Sequence, residues 1–582
     1  MPDCPFNPAA ENIADLIYRF GSLQSERWNN TSSLCADYVS SDYIILHMPL
    51  TPDAVSMRVH PYYMIPSLFS PLDYNAMEAS GILSAFNSPA LNNQGKGVLI
   101  GLVDTGIDYR SPLFQNPEGT TRIAGIWDQS VPIEEDVLPA GVPDYYPMGG
   151  SSYGTEYTRE QINEALASDD PLSLVPTQDT IGHGTFLAGL AAGSSIPQED
   201  FTGAAPEAEL AVVKLKPAKK YLRDFYLIPS DAPAFQENDI MMGIKYLRMM
   251  ADRLKKPLVI LLAMGSNSGS HIGTSPLSQV TQNYSGFFGI ITVIACGNET
   301  GAAHHFYASI PAGTEYEDVE IRVGKEEAER GFVLELWAAD ADTYTVGFIS
   351  PSGERISRIP IIANNETSIP FLLDATTITV NYQLIEAESG SQLIFMRFQT
   401  PAAGIWTVRV YNTQRFKGTF HMWLPVQGMI SEETVFLRPD PYSTITVPGN
   451  SRLPITVGAY DTSTGGIYIH SSRGFTPNQI VKPELAAPGV NILGPSVGRK
   501  PGSDTPMTTR TGTSAAAAIT AGAAANLLGW GIVEGNYPTM SEASVKSYLI
   551  RGAQRNPALT YPNREFGYGT LDLFQTFLRL RE

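Results

Sequence analysis

Four polar residues border apolar segments: Asp104 and Asn298 where such runs stop, His183 and Ser514 where they start. Asp104 follows the run 97–103 and opens Asp104-Thr105-Gly106-Ile107-Asp108; His183 sits in Gly182-His183-Gly184-Thr185. Asn298 follows Cys296-Gly297, and Ser514 closes Gly512-Thr513-Ser514. A serine hydroxyl is a weak nucleophile at neutral pH, so a base must take its proton as it attacks. Histidine suits that task because its ordinary pKa lies near working pH, and an aspartate behind the ring would fix its tautomer and stabilise the imidazolium. Each residue alone has a plainer reading. Thr513 or Ser514 could simply cap a helix, a histidine between glycines is commonly structural, and Asp-Thr-Gly also suits an aspartic protease. That last reading needs a second such loop or a dimer, in an all-β chain. Taken together, in the order Asp, His, Ser, the three groups predict acyl transfer. Asp108 better suits the local turn.

The segments that must position these residues read as an α/β domain. The apolar run Gly97-Val98-Leu99-Ile100-Gly101-Leu102-Val103 is a buried parallel strand by pattern, and open α/β sheets place their sites at the carboxyl ends of such strands. Further strands are expected at 208–215, 258–264, 291–295 and 453–460, with helices at 186–193, 237–254, 276–288 and 541–550. The run Ala515 to Leu528 is nearly all small residues and predicts a tightly buried helix. A serine in its first turn lies near the positive end of the helix dipole, a useful place where a reaction creates an oxyanion. Residues 131–179 form a Pro-, Gly- and Tyr-rich insertion with a helical patch at 158–168. From Gly313 to Val426 the pattern changes to alternating strands, including 319–323, 332–337, 344–349, 392–399 and 406–411. These predict an antiparallel β-sandwich, a jelly roll, inserted over 313–427.

Residues 1–72 form a region of their own. A helix is expected at Glu11–Phe20, then short strands including 43–48, then the extended segment Pro61-Tyr62-Tyr63-Met64-Ile65-Pro66-Ser67-Leu68-Phe69. That strip is either a linker or a strand lying in the active-site cleft, and a helix near 72–86 follows it. The chain of 582 residues carries 39 Lys and Arg against 59 Asp and Glu, a formal charge of −20, which argues against nucleic acid or an anionic membrane as partner. Cys4, Cys35 and Cys296 have no metal-ligand spacing and leave one cysteine over. No run approaches the roughly 20 apolar residues of a membrane span, so no membrane insertion is expected. Met1-Pro2-Asp3-Cys4-Pro5 lacks a basic start with an apolar core, which favours an intracellular or spore-associated protein.

The four motifs, in this order, resemble those of subtilisin-family serine proteases along about 95–310 and 430–580. The resemblance implies a subtilisin-like parallel sheet flanked by helices, with catalytic-domain parts at 73–312 and 428–582. It assigns Asp104, His183 and Ser514 to the triad and Asn298 to the oxyanion hole, beside the Ser514 backbone N–H. By pattern, Ala263-Met264-Gly265 matches the family strand that pairs with substrate backbone and lines the first specificity pocket. The stretches Glu78-Ala79-Ser80-Gly81-Ile82 and Tyr157-Thr158-Arg159-Glu160-Gln161-Ile162-Asn163, with the β insertion, are more closely similar to the Csp-type germination proteases of clostridial spores and related gut Firmicutes. That similarity implies an α+β prodomain at 1–72, which can stay bound after cleavage, and a role in spore germination. One departure is the run Ala515-Ala516-Ala517-Ala518, where the family usually has a Met-Ala-Ser-Pro type sequence.

The expected function is therefore that of a serine endopeptidase acting on protein or peptide substrates, made as a zymogen that cuts itself between Ser67 and Asn75. The alternative is a catalytically silent regulator with the prodomain held in the cleft and the β insertion as its working surface. Catalysis needs no cofactor; a structural calcium is a family expectation that no loop here locates. Cys296 is read as a small buried residue.

Overall fold

Strand Leu99–Asp104 is buried on both faces, and its neighbours explain why. It is central in an eight-stranded sheet, hydrogen-bonded in parallel to Leu258–Leu262 on one side and Glu209–Lys214 on the other. Strand Ile290–Ala295 pairs in parallel with Leu258–Leu262, and Ile455–Tyr460 and Leu485–Pro488 continue that edge. The opposite edge ends in Ile123–Asp128 and the antiparallel Thr155–Thr158. Side chains alternate across the sheet. Ile100 and Leu102 join the core built around helix Thr513–Leu528, whereas Leu99 and Val103 pack with helix Glu237–Leu254. The structure, a computed structural model, describes residues 6–19, 35–40, 42–51, 56–71, 78–88, 91–132, 153–196, 201–362, 366–498 and 505–580.

Every residue of helix Thr513–Leu528 is buried, which only a helix of small side chains tolerates at native packing density. With the following turn it makes Thr513–Val533, a span of 21 residues long and apolar enough to cross a membrane. This corrects the expectation that no such span exists; burial inside the domain, between sheet and neighbouring helices, accounts for its apolarity.

Two antiparallel sheets share a separate apolar core. The six-stranded one runs His305–Ser309, Thr419–Trp423, Phe332–Ala338, Leu393–Gln399, Thr376–Gln383, Glu366–Phe371. The five-stranded one runs Arg355–Ile356, Thr343–Ile349, Gly404–Gln414, Tyr316–Val323, Val435–Phe436. The outer strands His305–Ser309 and Val435–Phe436 carry these sheets beyond the 313–427 expected from pattern.

The N-terminal region holds two corrections. Residues expected as a helix at Glu11–Phe20 form strand Ile13–Arg19, paired antiparallel with Tyr43–Pro49. Its first five residues are all buried, Asp15 included, so tertiary packing and cross-strand pairing override local propensity. The helix expected near 72–86 is short: residues 72–77 lie outside the described residues, a 3-10 turn covers Glu78–Ser80, and a helix runs Ile82–Phe86. Gly81, at φ 70°, separates the two. Of the described cysteines, Cys35 is disulfide-bonded and Cys296 is free and buried.

A buried polar network fastens this region down. Asp15 pairs with Lys219 at 2.8 Å and accepts from Gln236 Nε2 at 2.9 Å. Lys219 Nζ also donates to the carbonyls of Pro8 and Ile13. His47 is bracketed by Asp15 (2.8 Å) and Asp37 (3.2 Å). Burial opposes its charge, but the two carboxylates outweigh it and raise the imidazole from 6.5 to about 9. Folding thus favours the charged ring, so its contribution is complete below about pH 6.5 and is lost as pH rises through about 9. The shift corresponds to about 3 kcal/mol. Urea midpoints should therefore fall between pH 6.5 and 9.5 in the wild type, and His47→Gln should flatten that slope; equal slopes in both proteins would refute it.

Candidate active site

Asp104, Ala263 and the loop leading to Asn298 leave the carboxyl ends of three adjacent strands: Leu99–Asp104, Leu258–Leu262 and Ile290–Ala295. His183 is the first residue of helix His183–Ala192, and Ser514 the second of Thr513–Leu528. The two helices pack on each other. Parallel strands order these ends on one side of the sheet, and helix starts bring N–H groups that have no intrahelical acceptor to the same place.

Two pairs form there. Asp104 Oδ1 lies 2.7 Å from His183 Nδ1, with both side chains nearly excluded from solvent. The same oxygen accepts the Thr105 N–H at 2.8 Å. A buried carboxylate facing Nδ1 fixes the proton on that nitrogen and leaves Nε2 as the base. In the second pair, Asn298 Oδ1 accepts the Thr513 N–H at 3.1 Å, and the Gly297 N–H donates to Thr513 Oγ1 at 3.3 Å. With Oδ1 occupied, the Nδ2 end of the amide is the one left to donate. Ser514 Oγ is fully buried and makes no hydrogen bond among the described residues, so the serine–imidazole bond is not formed in this structure. Such bonds commonly tighten only when substrate is in place.

Sequence reasoning missed the residue that shapes the histidine turn. Asp179 Oδ1 accepts from the Gly182 N–H (2.7 Å) and Thr105 Oγ1 (2.8 Å), and its Oδ2 from the N–H and Oγ1 of Thr185. Thr105 Oγ1 in turn accepts the Gly184 N–H at 2.9 Å. The available signal was an aspartate three residues before Gly182-His183, the spacing of a side chain that closes its own turn. Gly184 is required by closeness: a Cβ there would stand 2.1 Å from the Gly106 carbonyl. Asp108 pairs with Arg110 at 2.8 Å and accepts that residue's N–H, a turn role.

Of the strand residues, Met264–Gly265 pair antiparallel with Leu68–Pro71, in the register Met264↔Pro71 and Gly265↔Ser70. Leu68–Pro71 also pairs with Phe235–Gln236, making it the middle strand of three. Ala263 is buried beside them. Glu237, next to that strand, accepts the Ser67 N–H at 3.1 Å and the Leu277 N–H at 3.0 Å; burial pushes its carboxyl up to about 7 against these bonds. Burial likewise pushes the Cys296 thiol up to about 12, so it is an inert filler. Among the described residues no group of three or more His, Cys, Asp or Glu could hold a metal ion.

Comparison with known proteins points to one family. The profile of the subtilase family matches residues 95–349 and 438–569. The Clostridium perfringens CspB protease superposes with a TM-score of 0.74 at 30% identity, covering 87% of this chain and 97% of that one. Two Arabidopsis thaliana proteins, the subtilisin-like proteases SBT3.12 and SBT3.5, are 24% and 23% identical over 81% and 87% of this chain. The chain spans 59% and 64% of the length of those two plant relatives.

Asp179→Ala would strand the N–H groups and hydroxyls that its carboxylate satisfies. It should lower unfolding stability by about 3 kcal/mol in urea titrations. Asp108→Ala, losing a turn contact with a partly exposed arginine, should cost only about 1 kcal/mol. Equal losses would contradict the roles given to the two carboxylates.

Proposed function

The chain belongs to the subtilase family, a family of serine proteases, and on that premise we propose that it is a serine endopeptidase working through Asp104, His183 and Ser514. Ser514 Oγ attacks the scissile carbonyl while His183 Nε2 takes its proton, then returns it to the leaving amine. Asp104 holds the ring through Nδ1 and stabilises the imidazolium. The oxyanion is met by the Ser514 N–H at the helix start and by Asn298 Nδ2, donors fixed before reaction begins. The observation that carries this reading is the buried Asp104–His183 pair at 2.7 Å, at the carboxyl ends of the central strands, where Asn298 meets the serine helix.

Residues 1–72 are, on this reading, a prodomain. Its support is strand Leu68–Pro71, which lies between Met264–Gly265 and Phe235–Gln236 as an extended peptide substrate would. The apolar contacts of Tyr62, Ile65 and Leu68 with Tyr221, Phe225, Trp337 and Phe395 would keep it bound after cleavage. Backbone pairing of this kind recognises extended polypeptide, so the partners are protein substrates and the cleaved prodomain. The 305–436 sheets are a jelly-roll module that stiffens the catalytic domain. The motif resemblance to Csp-type germination proteases is what suggests a role in spore germination, in an intracellular or spore compartment.

Purified wild type should run as two chains on a denaturing gel, with the new N-terminus between Leu68 and Asn75. Ser514→Ala should run as one. A fluorophosphonate should label wild type and not Ser514→Ala. Identical cutting of the mutant would exclude self-processing; absence of labelling under all conditions would favour a silent regulator with its cleft held shut.

A further inference from the structure

The residue after Asn298 gathers three distant parts of the chain. Glu299 is buried; its Oε2 accepts from Asn267 Nδ2 at 3.0 Å and lies 3.1 Å from His304 Nδ1. Its Oε1 accepts the backbone N–H of Gln427 at 3.2 Å. Gln427 then reaches past it, donating from Nε2 to the carbonyl of Asn298 itself at 2.6 Å. Asn267 Nδ2 also donates to the Leu424 carbonyl, and the Leu424 N–H donates to the His304 carbonyl. His304 leads into the first strand of the six-stranded sheet and Leu424 to Gln427 leave its partner, with His305 paired to Trp423. The entry and exit of the six-stranded sheet thus converge on the loop that carries Asn298.

We propose that Gln427 is a positioning residue for Asn298, through which the inserted module sets the direction of the oxyanion donor. The inference rests on the oxyanion role given to Asn298 above. Asn298 is held at two points: its carbonyl by Gln427 Nε2 and its Oδ1 by the Thr513 N–H. Backbone and side chain are then both fixed, and the aim of Nδ2 follows. A donor for a charge that develops only in the transition state helps in proportion to how little it must reorient. Loss of the Gln427 bond frees the carbonyl end, and the cost falls on the chemical step and not on substrate binding.

Gln427→Met keeps the side-chain length and removes the donor; Gln427→Leu is a second variant without a polar head. Rates are measured on a fluorogenic peptide copying residues 66–75, per active site titrated with a fluorophosphonate, so misfolded protein does not count. Each variant should lower kcat by about tenfold and leave KM within roughly twofold. In an Asn298→Ala background, itself slower by about a hundredfold, Gln427→Met should cost nothing further. Equal losses in both backgrounds, a change in KM alone, or an unchanged kcat would overturn the proposal. If Asn298→Ala leaves kcat intact, the oxyanion role fails first and this inference falls with it.

Discussion

The whole arrangement depends on burying one helix on every side. Thr513–Leu528 must reach the centre of the domain with its amino end at the carboxyl ends of the central strands, and it does so because alanines and glycines let neighbours close in. A Cβ on Gly522 would stand 2.3 Å from Ala204 Cβ, and one on Gly189 of the histidine helix 2.3 Å from Pro495. Such contacts leave no room for a larger side chain, and overpacking at this density costs stability. They also fix where the first turn points. Ser514, the Thr513 N–H and the amide of Asn298 are placed by that packing, while Asp104 and His183 are placed by strand order and the turn that Asp179 closes.

The N-terminal region is bound by a different kind of force. Its strand Leu68–Pro71 adds backbone hydrogen bonds, but Asp15, His47 and Lys219 add a charged cluster almost without solvent. Such a cluster is costly to open, because removing one partner leaves the others buried and unpaired. On the proposed reading, cutting the chain near residue 72 would therefore not by itself free the cleft. The apolar core shared by Tyr62, Tyr221 and Trp337 ties the same region to the α/β domain and to the inserted sheets at once.

The insertion is joined to the site through polar contacts at its own roots. His304 and Gln427 meet on Glu299, beside the loop that bears Asn298, so an apparently peripheral module shares a hydrogen-bond network with the candidate oxyanion site.

Much of this was legible from residue order alone. Polar residues at the borders of apolar runs marked Asp104, His183, Asn298 and Ser514, and the alternation of strands and helices marked the α/β sheet, because period and composition are local properties. What the sequence determined by itself was the inventory: which groups could react, and on what kind of scaffold. The tertiary structure decided the rest. Residues 13–19 became a strand and not a helix because they pair with 43–49 and bury Asp15 against His47 and against Lys219, some two hundred residues away. The apolar span 513–533 became a core helix because the sheet and other helices surround it. Asp179, Glu299 and Gln427 gave no strong signal, since their importance lies in which N–H and C=O groups they meet, and those partners are chosen by folding in three dimensions.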